Sequence, residues 1–314
     1  MNVKENGYMR LKTAPLAAAL VLSLFFTAAF FFVIAEVDAF LRGIFPDIFW
    51  QFEEREAFLN AIRPWGYASL CAVIVLIIAG FVSKRRKIAL LGSISLFLPT
   101  FGYFALAMFF LAGIGIIRVL WYPIMSISPD VLDSCTIVYA PFLLLPGVTA
   151  IAMGLMIAGI FMFLMGVATW LYGKLTNREV LDFSAYMYSR HPQYLGYILW
   201  SYGVLIYTVF KPYVKGAMYP PPTLFWTIST LTVIAIALRE EIDMDKRYGE
   251  TYQAYRRRVP FLLPLPKFVN GFLRALHSKI IGKVYPENNR EIVFLILLWL
   301  FISIVISLPF SLWT

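Results

Sequence analysis

The sequence has few charged residues. Only 14% of its 314 residues are Asp, Glu, Lys or Arg, whereas about a quarter are charged in an ordinary soluble domain. Hydrophobic residues make up 61% of the chain, and several apolar runs reach the roughly 20 residues that cross a bilayer core. The alternation over about 10 residues that marks a transmembrane β-strand is missing. The sequence therefore predicts an all-α protein, a polytopic transmembrane helical bundle with cytoplasmic amphipathic helices.

Cysteine and histidine are also scarce, with two residues of each. Cys71 lies in an apolar run and Cys135 in a loop, so the sequence has neither a disulfide framework nor a metal-binding spacing. We therefore expect no metal centre. The net charge of +9 is attributed to basic residues that hold the cytoplasmic side of a membrane protein, and we expect no nucleic-acid partner.

Apolar runs divide the chain into about seven predicted spans. They cover residues 13–35, 67–82, 88–120, 141–172, 194–210, 223–238 and 292–308. The first run exceeds the 7–15 apolar residues of a signal-peptide core, so we expect it to be retained as a span. Pro99 interrupts the third run, which suits either one tilted, kinked helix or a span with a re-entrant piece.

The positive charges give these spans an orientation. An N-terminus on the cytoplasmic side puts most of the 27 Lys and Arg residues into cytoplasmic segments, as the positive-inside bias requires. The exceptions are Arg42, Arg55, Arg63, Arg118, Lys211 and Lys215. We predict a multi-pass integral membrane protein whose N-terminus and active site lie on the cytoplasmic side, where the two polar motifs described next are found.

The first motif runs from Tyr186 to Gly196 and reads Tyr-Met-Tyr-Ser-Arg-His-Pro-Gln-Tyr-Leu-Gly. Pro192 has a fixed φ and lacks an amide hydrogen, so it suits the first turn of a helix and places Arg190 and His191 at the mouth of that helix. Free N–H groups there favour an anion such as a carboxylate, and Gly196 lets a neighbour or a ligand come close. A capped helix end, with Arg190 reaching up to the lipid headgroups, would explain the same residues without a ligand.

The second motif begins with Glu240 and Glu241, directly after an apolar span. Two adjacent carboxylates at a membrane surface can bind an ammonium group or the hydroxyls of a ribose-bearing cofactor; the simpler alternative is a solvated helix start. The residues that follow recur at steps of three and four and predict a helix with one aromatic face, which ends at Val259-Pro260. This face consists of Met244, Tyr248, Tyr252, Tyr255 and Val259. It suits either a helix on the membrane surface or a lid of aromatic rings over a cofactor.

Together, the two motifs resemble signatures of the isoprenylcysteine carboxyl methyltransferase and phospholipid methyltransferase superfamily. From Tyr186 the chain follows Y-x-x-x-R-H-P-x-Y-x-G, and from Glu240 to Pro264 it is similar to E-E-x-x-L…F-G-x-x-Y-x-x-Y-x-x-x-V-P-x-x-x-P. The resemblance implies an integral membrane methyltransferase that uses S-adenosyl-L-methionine. It also implies that the cofactor pocket contains Tyr186, His191, Pro192, Gln193, Tyr194, Glu240 and Glu241. Arg190 and Glu241 are the candidate catalytic residues.

The chain departs from this pattern at one position. In prenylcysteine methyltransferases a basic residue commonly stands four positions before the first glutamate, where this chain has Ile236; the nearest arginine is Arg239. The acceptor therefore stays open among an isoprenylcysteine-type carboxylate, a lipid amine and a thiol. We expect a lipophilic methyl acceptor that enters from the bilayer, with membrane lipids as the surrounding partners.

The chain divides into three predicted regions. Residues 1–140 form an accessory N-terminal transmembrane region, 141–266 the methyltransferase core with the cofactor pocket, and 267–314 a basic interfacial segment followed by the last span. Within the third region, residues 267–283 combine apolar and basic side chains and predict a helix lying on anionic headgroups. His277 is expected to be exposed on the polar face of this helix.

Other functions stay open from the sequence. An NADPH-dependent membrane reductase of the sterol-reductase type is the main alternative, because its C-terminal region shares a distant likeness with the same superfamily. A transporter or channel usually carries ionisable groups within its spans and broken helices in matching halves. The predicted spans are nearly free of charge and show no internal repeat. A membrane scaffold without activity is the remaining alternative.

Overall fold

The computed structural model describes residues 12–44, 61, 64, 67–68, 71–72, 74–83, 87–88, 133–210, 223–263 and 266–311. All regular structure within these ranges is helical, which confirms the predicted all-α class. The α-helices are α1 (Thr13–Ile44), α2 (Val148–Leu175), α3 (Pro192–Phe210), α4 (Thr223–Arg258), α5 (Lys267–Ile281) and α6 (Asn289–Ser311). Short 3-10 helices lie at Thr136–Val138, Ala140–Leu144 and Ser184–Met187.

Three of the described helices are long and apolar enough to cross a membrane. They are α2, α4 and the Asn289–Phe310 part of α6, while α1 is apolar over Thr13–Ala28. Apart from residue 88, the predicted span over 88–120 lies outside the described residues. The protein is therefore a helical membrane bundle, and its seven spans and orientation stay predictions.

The fourth predicted span begins later than the sequence indicates. Its apolar run starts at residue 141, but this part of the chain forms the 3-10 helix Ala140–Leu144, and α2 begins at Val148. Gly147 precedes α2 with a φ of 70°, a left-handed conformation that favours glycine. The span predicted over 141–172 was thus wrong at its start, because a turn at Gly147 separates the two helices.

Helices α2 and α3 run antiparallel and pack backbone against backbone. A Cβ atom added to Gly159 would lie 2.4 Å from the backbone nitrogen of Trp200, and one added to Gly196 would lie 2.5 Å from that of Phe163. No side chain fits into such spaces, and small residues allow helices to approach this closely. The close approach predicted at Gly196 is confirmed, and the neighbour is α2.

Helix α1 packs against α2. The hydroxyl of Ser23 donates a hydrogen bond to the Leu164 carbonyl at 2.7 Å, and the backbone nitrogen of Lys12 donates to the Tyr172 hydroxyl at 3.1 Å. The predicted accessory region therefore contacts the predicted core. The boundaries of the three predicted regions stay predictions.

Helix α6 packs along α4, and polar residues lie at both ends of this pair of helices. Ala235 and Ile242 of α4 share an apolar cluster with Ile292 of α6. At one end, which we call the ionic end, lie residues 189–194, 239–245 and 283–291. At the opposite end, which we call the hydroxyl end, lie residues 133–139, Thr223 and Ser307. Both polar motifs are at the ionic end, because α3 begins there and α4 carries its glutamates there.

Helix α4 bends at Gly249. The φ and ψ of this residue are 48° and −125°, a conformation that glycine adopts without strain. Beyond the bend, Tyr252, Tyr255 and Val259 form an apolar cluster with partly buried residues, among them Met244. The predicted aromatic face is therefore confirmed, although the helix that carries it is bent. It ends at Arg258, directly before Val259-Pro260, as the sequence predicts.

Helix α5 confirms the helix predicted over 267–283, and Gly282 ends it with a φ of 71°. The prediction that His277 is exposed was wrong, because this side chain is half-buried. Trp299 of α6 donates a hydrogen bond from its indole nitrogen to Nε2 of His277 at 3.3 Å. Burial lowers the pKa of His277, which favours the neutral imidazole that accepts this hydrogen bond.

Candidate active site

Glu241 is a buried carboxylate with three hydrogen-bond donors. It is only 4% exposed. Arg190 donates from Nη1 to Oε2, and Nε2 of His191 lies 2.9 Å from Oε1, which also accepts the Tyr252 hydroxyl at 2.5 Å. Because an ionised carboxylate only accepts hydrogen bonds, the proton of His191 is assigned to Nε2. A buried charge requires such partners, and here they come from both motifs.

The bend at Gly249 is what brings Tyr252 to Glu241. In a straight helix, residues eleven positions apart are separated by roughly 16 Å along the axis. A tyrosine side chain does not reach that far along its own helix, yet the Tyr252 hydroxyl is at hydrogen-bond distance from the carboxylate. The glycine therefore folds the second half of α4 back toward the first half.

Arg190 points into the protein. It is 4% exposed, and its guanidinium carbon lies 5.6 Å from the ring of Phe261 and 5.9 Å from the ring of Tyr285. Its backbone nitrogen donates to the Pro260 carbonyl at 3.1 Å. The alternative in which Arg190 reaches the headgroups is thus wrong. Its Nε atom is buried and has no hydrogen-bond partner among the described residues.

Glu240 is the more accessible of the two glutamates, with a side chain that is 29% exposed. Its Oε1 accepts the Tyr194 hydroxyl at 3.0 Å, and its Oε2 lies 3.7 Å from Nδ1 of His191. The rings of His191 and Tyr194 stack with their centroids 5.7 Å apart. His191 therefore lies between the two glutamates, and Glu240 presents carboxylate oxygens at the edge of the cluster.

Tyr186 and Gln193 form a second pair beside this cluster. The Tyr186 hydroxyl donates to Oε1 of Gln193 at 3.3 Å, and Nε2 of Gln193 donates to the Gly166 carbonyl at 3.3 Å. Burial, together with the negative charge of Glu240, raises the pKa of Tyr186, so its phenol stays protonated. The hydroxyl of Tyr255 donates to the Tyr186 carbonyl at 2.8 Å. The pair thus joins α2 and α3 to the last turns of α4.

Pro192 begins α3, as its fixed φ predicts. The start of this helix lies against α2, since a Cβ atom added to Gly166 would be 3.0 Å from the backbone nitrogen of Gln193. The backbone nitrogen of His191 donates to the hydroxyl of Ser189 at 3.2 Å. These contacts narrow the space for the anion that the sequence predicts at the mouth of the helix.

A cavity of about 490 Å³ borders Glu241. It is lined by residues of α4 on both sides of Gly249 and by residues 283–287, which follow α5. Tyr285 belongs to this lining and carries the guanidinium of Arg256 over its ring, 4.6 Å from the centroid. The C-terminal part of the chain therefore contributes a wall beside the two motifs.

Residues 283–291 are held by a local hydrogen-bond network. Asn288 accepts the backbone N–H of Glu291 at 3.0 Å, and the Glu291 carboxylate accepts the backbone N–H of Glu287 at 2.7 Å. Asn three residues before Glu is a typical start of a helix, and α6 begins here. Lys283 adds ion pairs to Glu287 and Glu291. The segment that carries Tyr285 is thus fixed at the start of α6.

Sequence reasoning missed Phe261 and Tyr285 as neighbours of Arg190. Both are aromatic residues in irregular segments, where no periodicity marks a buried side. The motif reasoning did include Tyr252, but as part of an apolar face and not as a partner of Glu241. A motif predicts which residues act together, whereas contacts made across a bend or from a distant segment leave no pattern along the chain.

Comparisons with known proteins agree with the motifs. Residues 144–259 match the family described as a protein of unknown function (DUF1295). That family belongs to the isoprenylcysteine carboxyl methyltransferase-like membrane superfamily, which confirms the resemblance found in the sequence. A methanethiol S-methyltransferase of Crocosphaera subtropica is 33% identical over 79 residues, which are 25% of this chain and 27% of that protein. The chain thus spans about a quarter of this relative, and no solved structure matches.

Proposed function

Taking the superfamily match of residues 144–259 as the premise, we propose that this chain is an integral membrane methyltransferase that uses S-adenosyl-L-methionine. The observation that carries the proposal is the network at Glu241, where Arg190 and His191 of the first motif and Tyr252 of the second share one carboxylate. A merely solvated helix start would leave these groups apart.

The groups around Glu240 fit the cofactor chemically. A partly exposed carboxylate flanked by a phenol and an imidazole can accept hydrogen bonds from ribose hydroxyls or from an ammonium group. Tyr186, Pro192 and Gln193 would form the wall behind His191 and Tyr194. When bound, S-adenosyl-L-methionine supplies a methyl group that its sulfonium already activates.

Transfer of an activated methyl group requires alignment and exclusion of water more than strong acid or base catalysis. Glu241 is buried and accepts three hydrogen bonds, so its proposed part is to fix Arg190 and His191 in place. We therefore propose that Arg190 and Glu241, the candidate catalytic residues, act as positioning residues. The ring of Phe261 lies against His191 and Arg190, and that of Tyr285 lies against Arg190; these rings would help to exclude water from the two cations.

Two observations support an acceptor without a carboxylate. Ile236, which stands where prenylcysteine methyltransferases commonly have a basic residue, is an apolar side chain that is only 1% exposed. Arg239, the nearest arginine, donates to Asn289 at 2.8 Å and pairs with Asp243 at 3.3 Å. The relative from Crocosphaera subtropica is named for a thiol substrate. We propose an apolar thiol that reaches the site from the surrounding membrane lipids, with a lipid amine and an isoprenylcysteine-type carboxylate as the alternatives.

The first experiment measures binding of S-adenosylhomocysteine to the purified protein in detergent by calorimetry, with NADPH tested alongside. We expect the first ligand alone to bind, and we expect Glu240→Ala or His191→Ala to abolish its binding in a folded protein. Glu250→Ala, an exposed glutamate of the same helix, is the matched control and keeps full affinity. Binding of NADPH alone would establish the reductase alternative, and binding of neither ligand would leave a scaffold or a transporter.

The acceptor is tested separately, with isotope-labelled S-adenosylmethionine and three compounds: an alkanethiol, a prenylcysteine and a lipid amine. Transfer to the thiol alone is the expected result. Transfer to the prenylcysteine carboxylate would mean that a basic group other than Arg239 recognises the acceptor.

A further inference from the structure

The cavity beside Glu241 has the size of a small-molecule site, since such sites enclose roughly 300–1,000 Å³. Its wall has two parts that are distant in sequence, namely α4 and residues 283–287. The second part lies beyond the residues that match the family. The cavity thus adjoins the two motifs without being formed by them alone.

Three of the charged residues in the wall, Glu241, Lys283 and Glu287, already have partners, and Lys246 is exposed. Glu241 accepts three hydrogen bonds, and Lys283 pairs with Glu287 and Glu291. Asp245 differs, because its Oδ1 atom is buried and no described residue donates to it. A buried acceptor without a donor is uncommon in a folded protein and requires an explanation.

Arg256 is the complementary group. It lies over the ring of Tyr285 at 4.6 Å, and within the described part of the chain it pairs with no carboxylate. Arg256 and Asp245 lie on opposite sides of the bend at Gly249, yet both line the same cavity. The bend therefore places an unsatisfied acceptor and an unpaired guanidinium in one space.

We infer that this cavity binds the amino-acid end of a ligand, with the ammonium group at Asp245 and the carboxylate at Arg256. An α-amino acid group carries one charge of each sign a few ångströms apart, which matches one acceptor and one cation. Arginine suits a carboxylate because its planar group donates two parallel hydrogen bonds. Tyr285 contacts the Arg256 guanidinium through its aromatic ring, whereas the carboxylate would bind the N–H groups at the edge of the guanidinium.

This inference rests on the proposed function, because it assigns the amino-acid end to S-adenosyl-L-methionine. His191 contacts both Glu240 and Glu241, so the surface proposed for the ribose and the cavity are neighbours. The methionyl end would thus be recognised by Asp245, Arg256 and Tyr285, none of which belongs to the residues predicted from the motifs.

The test compares two ligands that differ only in this end. S-adenosylhomocysteine carries the amino acid, whereas 5′-methylthioadenosine has the same nucleoside and a thioether without it. Calorimetry is performed on the full-length protein and on Asp245→Asn and Arg256→Gln. We expect each variant to bind S-adenosylhomocysteine at least about tenfold more weakly, the value of one charge-assisted hydrogen bond, and to bind 5′-methylthioadenosine as the unaltered protein does.

Matched controls lie next to each residue. Asp243→Asn and Arg257→Gln make the same chemical changes outside the cavity lining and are expected to keep full affinity for both ligands. Arg256→Lys, which keeps the charge, should retain more affinity than Arg256→Gln.

The outcomes separate this inference from the proposed function. Unchanged affinity for S-adenosylhomocysteine in Asp245→Asn and Arg256→Gln would overturn the inference alone. Equal weakening of both ligands would also overturn it, since the variants would then act on the whole site. If the unaltered protein bound no S-adenosylhomocysteine, the proposed function and this inference would fall together.

Discussion

The two ends of the bundle stabilise a carboxylate in different ways, with Glu241 buried at one end and Asp133 half-buried at the other. At the ionic end, Glu241 is balanced by the cationic Arg190 and by two further donors. At the hydroxyl end, Asp133 accepts from Tyr139 at 2.6 Å and from Thr223 at 2.9 Å, both of them neutral hydroxyls. Burial outweighs these hydrogen bonds and raises the pKa of Asp133.

This difference indicates which end of the bundle carries chemistry. The hydroxyl end ties chain segments to one another: Thr136 donates to the Ser307 carbonyl at 3.1 Å, and the backbone nitrogen of Cys135 donates to Thr223 at 3.2 Å. The ionic end also joins segments, but it keeps a partly exposed carboxylate at Glu240 and a cavity with unsatisfied groups at Asp245 and Arg256. The ligand binding that we propose belongs to the ionic end, and we expect the hydroxyl end to contribute to stability alone.

The largest expected effect comes from Glu241→Ala. Removing one partner of a buried ion pair leaves the other charge uncompensated, and this destabilises a protein by about 3–5 kcal/mol. We expect a loss of that size in the free energy of unfolding in detergent and no detectable binding of S-adenosylhomocysteine. A variant that kept both properties would contradict the contrast between the two ends.

Gly249→Ala is expected to have the next largest effect. A side chain at a φ of 48° is strained by about 1–3 kcal/mol, and relief of the strain would move Tyr252 away from Glu241. We expect lower thermal stability together with weaker ligand binding. Gly154→Ala is the control, because a methyl group there has nothing within 4 Å and the helix is regular. If both variants behaved alike, the bend would have no special role.

Thr223→Val tests the hydroxyl end. The substitution keeps the shape but removes the donor to Asp133 and the acceptor for Cys135, at a cost of about 1–3 kcal/mol. We expect a lower melting temperature with unchanged affinity for S-adenosylhomocysteine. Thr232→Val should change stability less, because within the described residues this hydroxyl bonds only to the Ile228 carbonyl one turn earlier in the same helix. A loss of affinity for S-adenosylhomocysteine in Thr223→Val would contradict the proposed difference in function between the two ends.

The smallest effect is a pH dependence at Asp133. Because the folded-state pKa is raised above the ordinary value of 3.8, this carboxyl stabilises the fold when protonated, and that contribution is lost as the pH rises through the folded-state pKa. The melting temperature of Asp133→Asn relative to the unaltered protein should therefore rise as the pH increases from 3.8 through the folded-state pKa of Asp133. The difference between the two proteins is measured at each pH, so that other carboxyl groups cancel. A constant difference would contradict the raised pKa.

The proline signals in the sequence predicted two helix ends correctly. Pro192 starts α3 and Val259-Pro260 follows the end of α4, because the steric restriction of proline acts on its immediate neighbours. Residues that the motifs grouped also lie together, since His191, Tyr194 and both glutamates share one cluster. Their binding of a cofactor stays a prediction.

Contacts that depend on how distant segments are placed in three dimensions could not be predicted from the sequence. A glycine in a helical pattern does not reveal which way a bend will point, so the hydrogen bond between Tyr252 and Glu241 could not be predicted. The same holds for Tyr285, which reaches Arg190 from a segment 95 positions away in sequence. His277 was misplaced because an amphipathic pattern does not identify the neighbour, here Trp299, that covers a polar side chain.

The glycine contacts between α2 and α3 restrict how the bundle can open. Because Gly159 and Gly196 bring the two backbones together, no layer of side chains exists there that could rearrange and let one helix slide along the other. We therefore expect these two helices to move together. The apolar acceptor that we propose would have to enter elsewhere, between α4 and α3 or between α4 and α6. Side chains such as Trp226 and Ile292 form those contacts and can change rotamer.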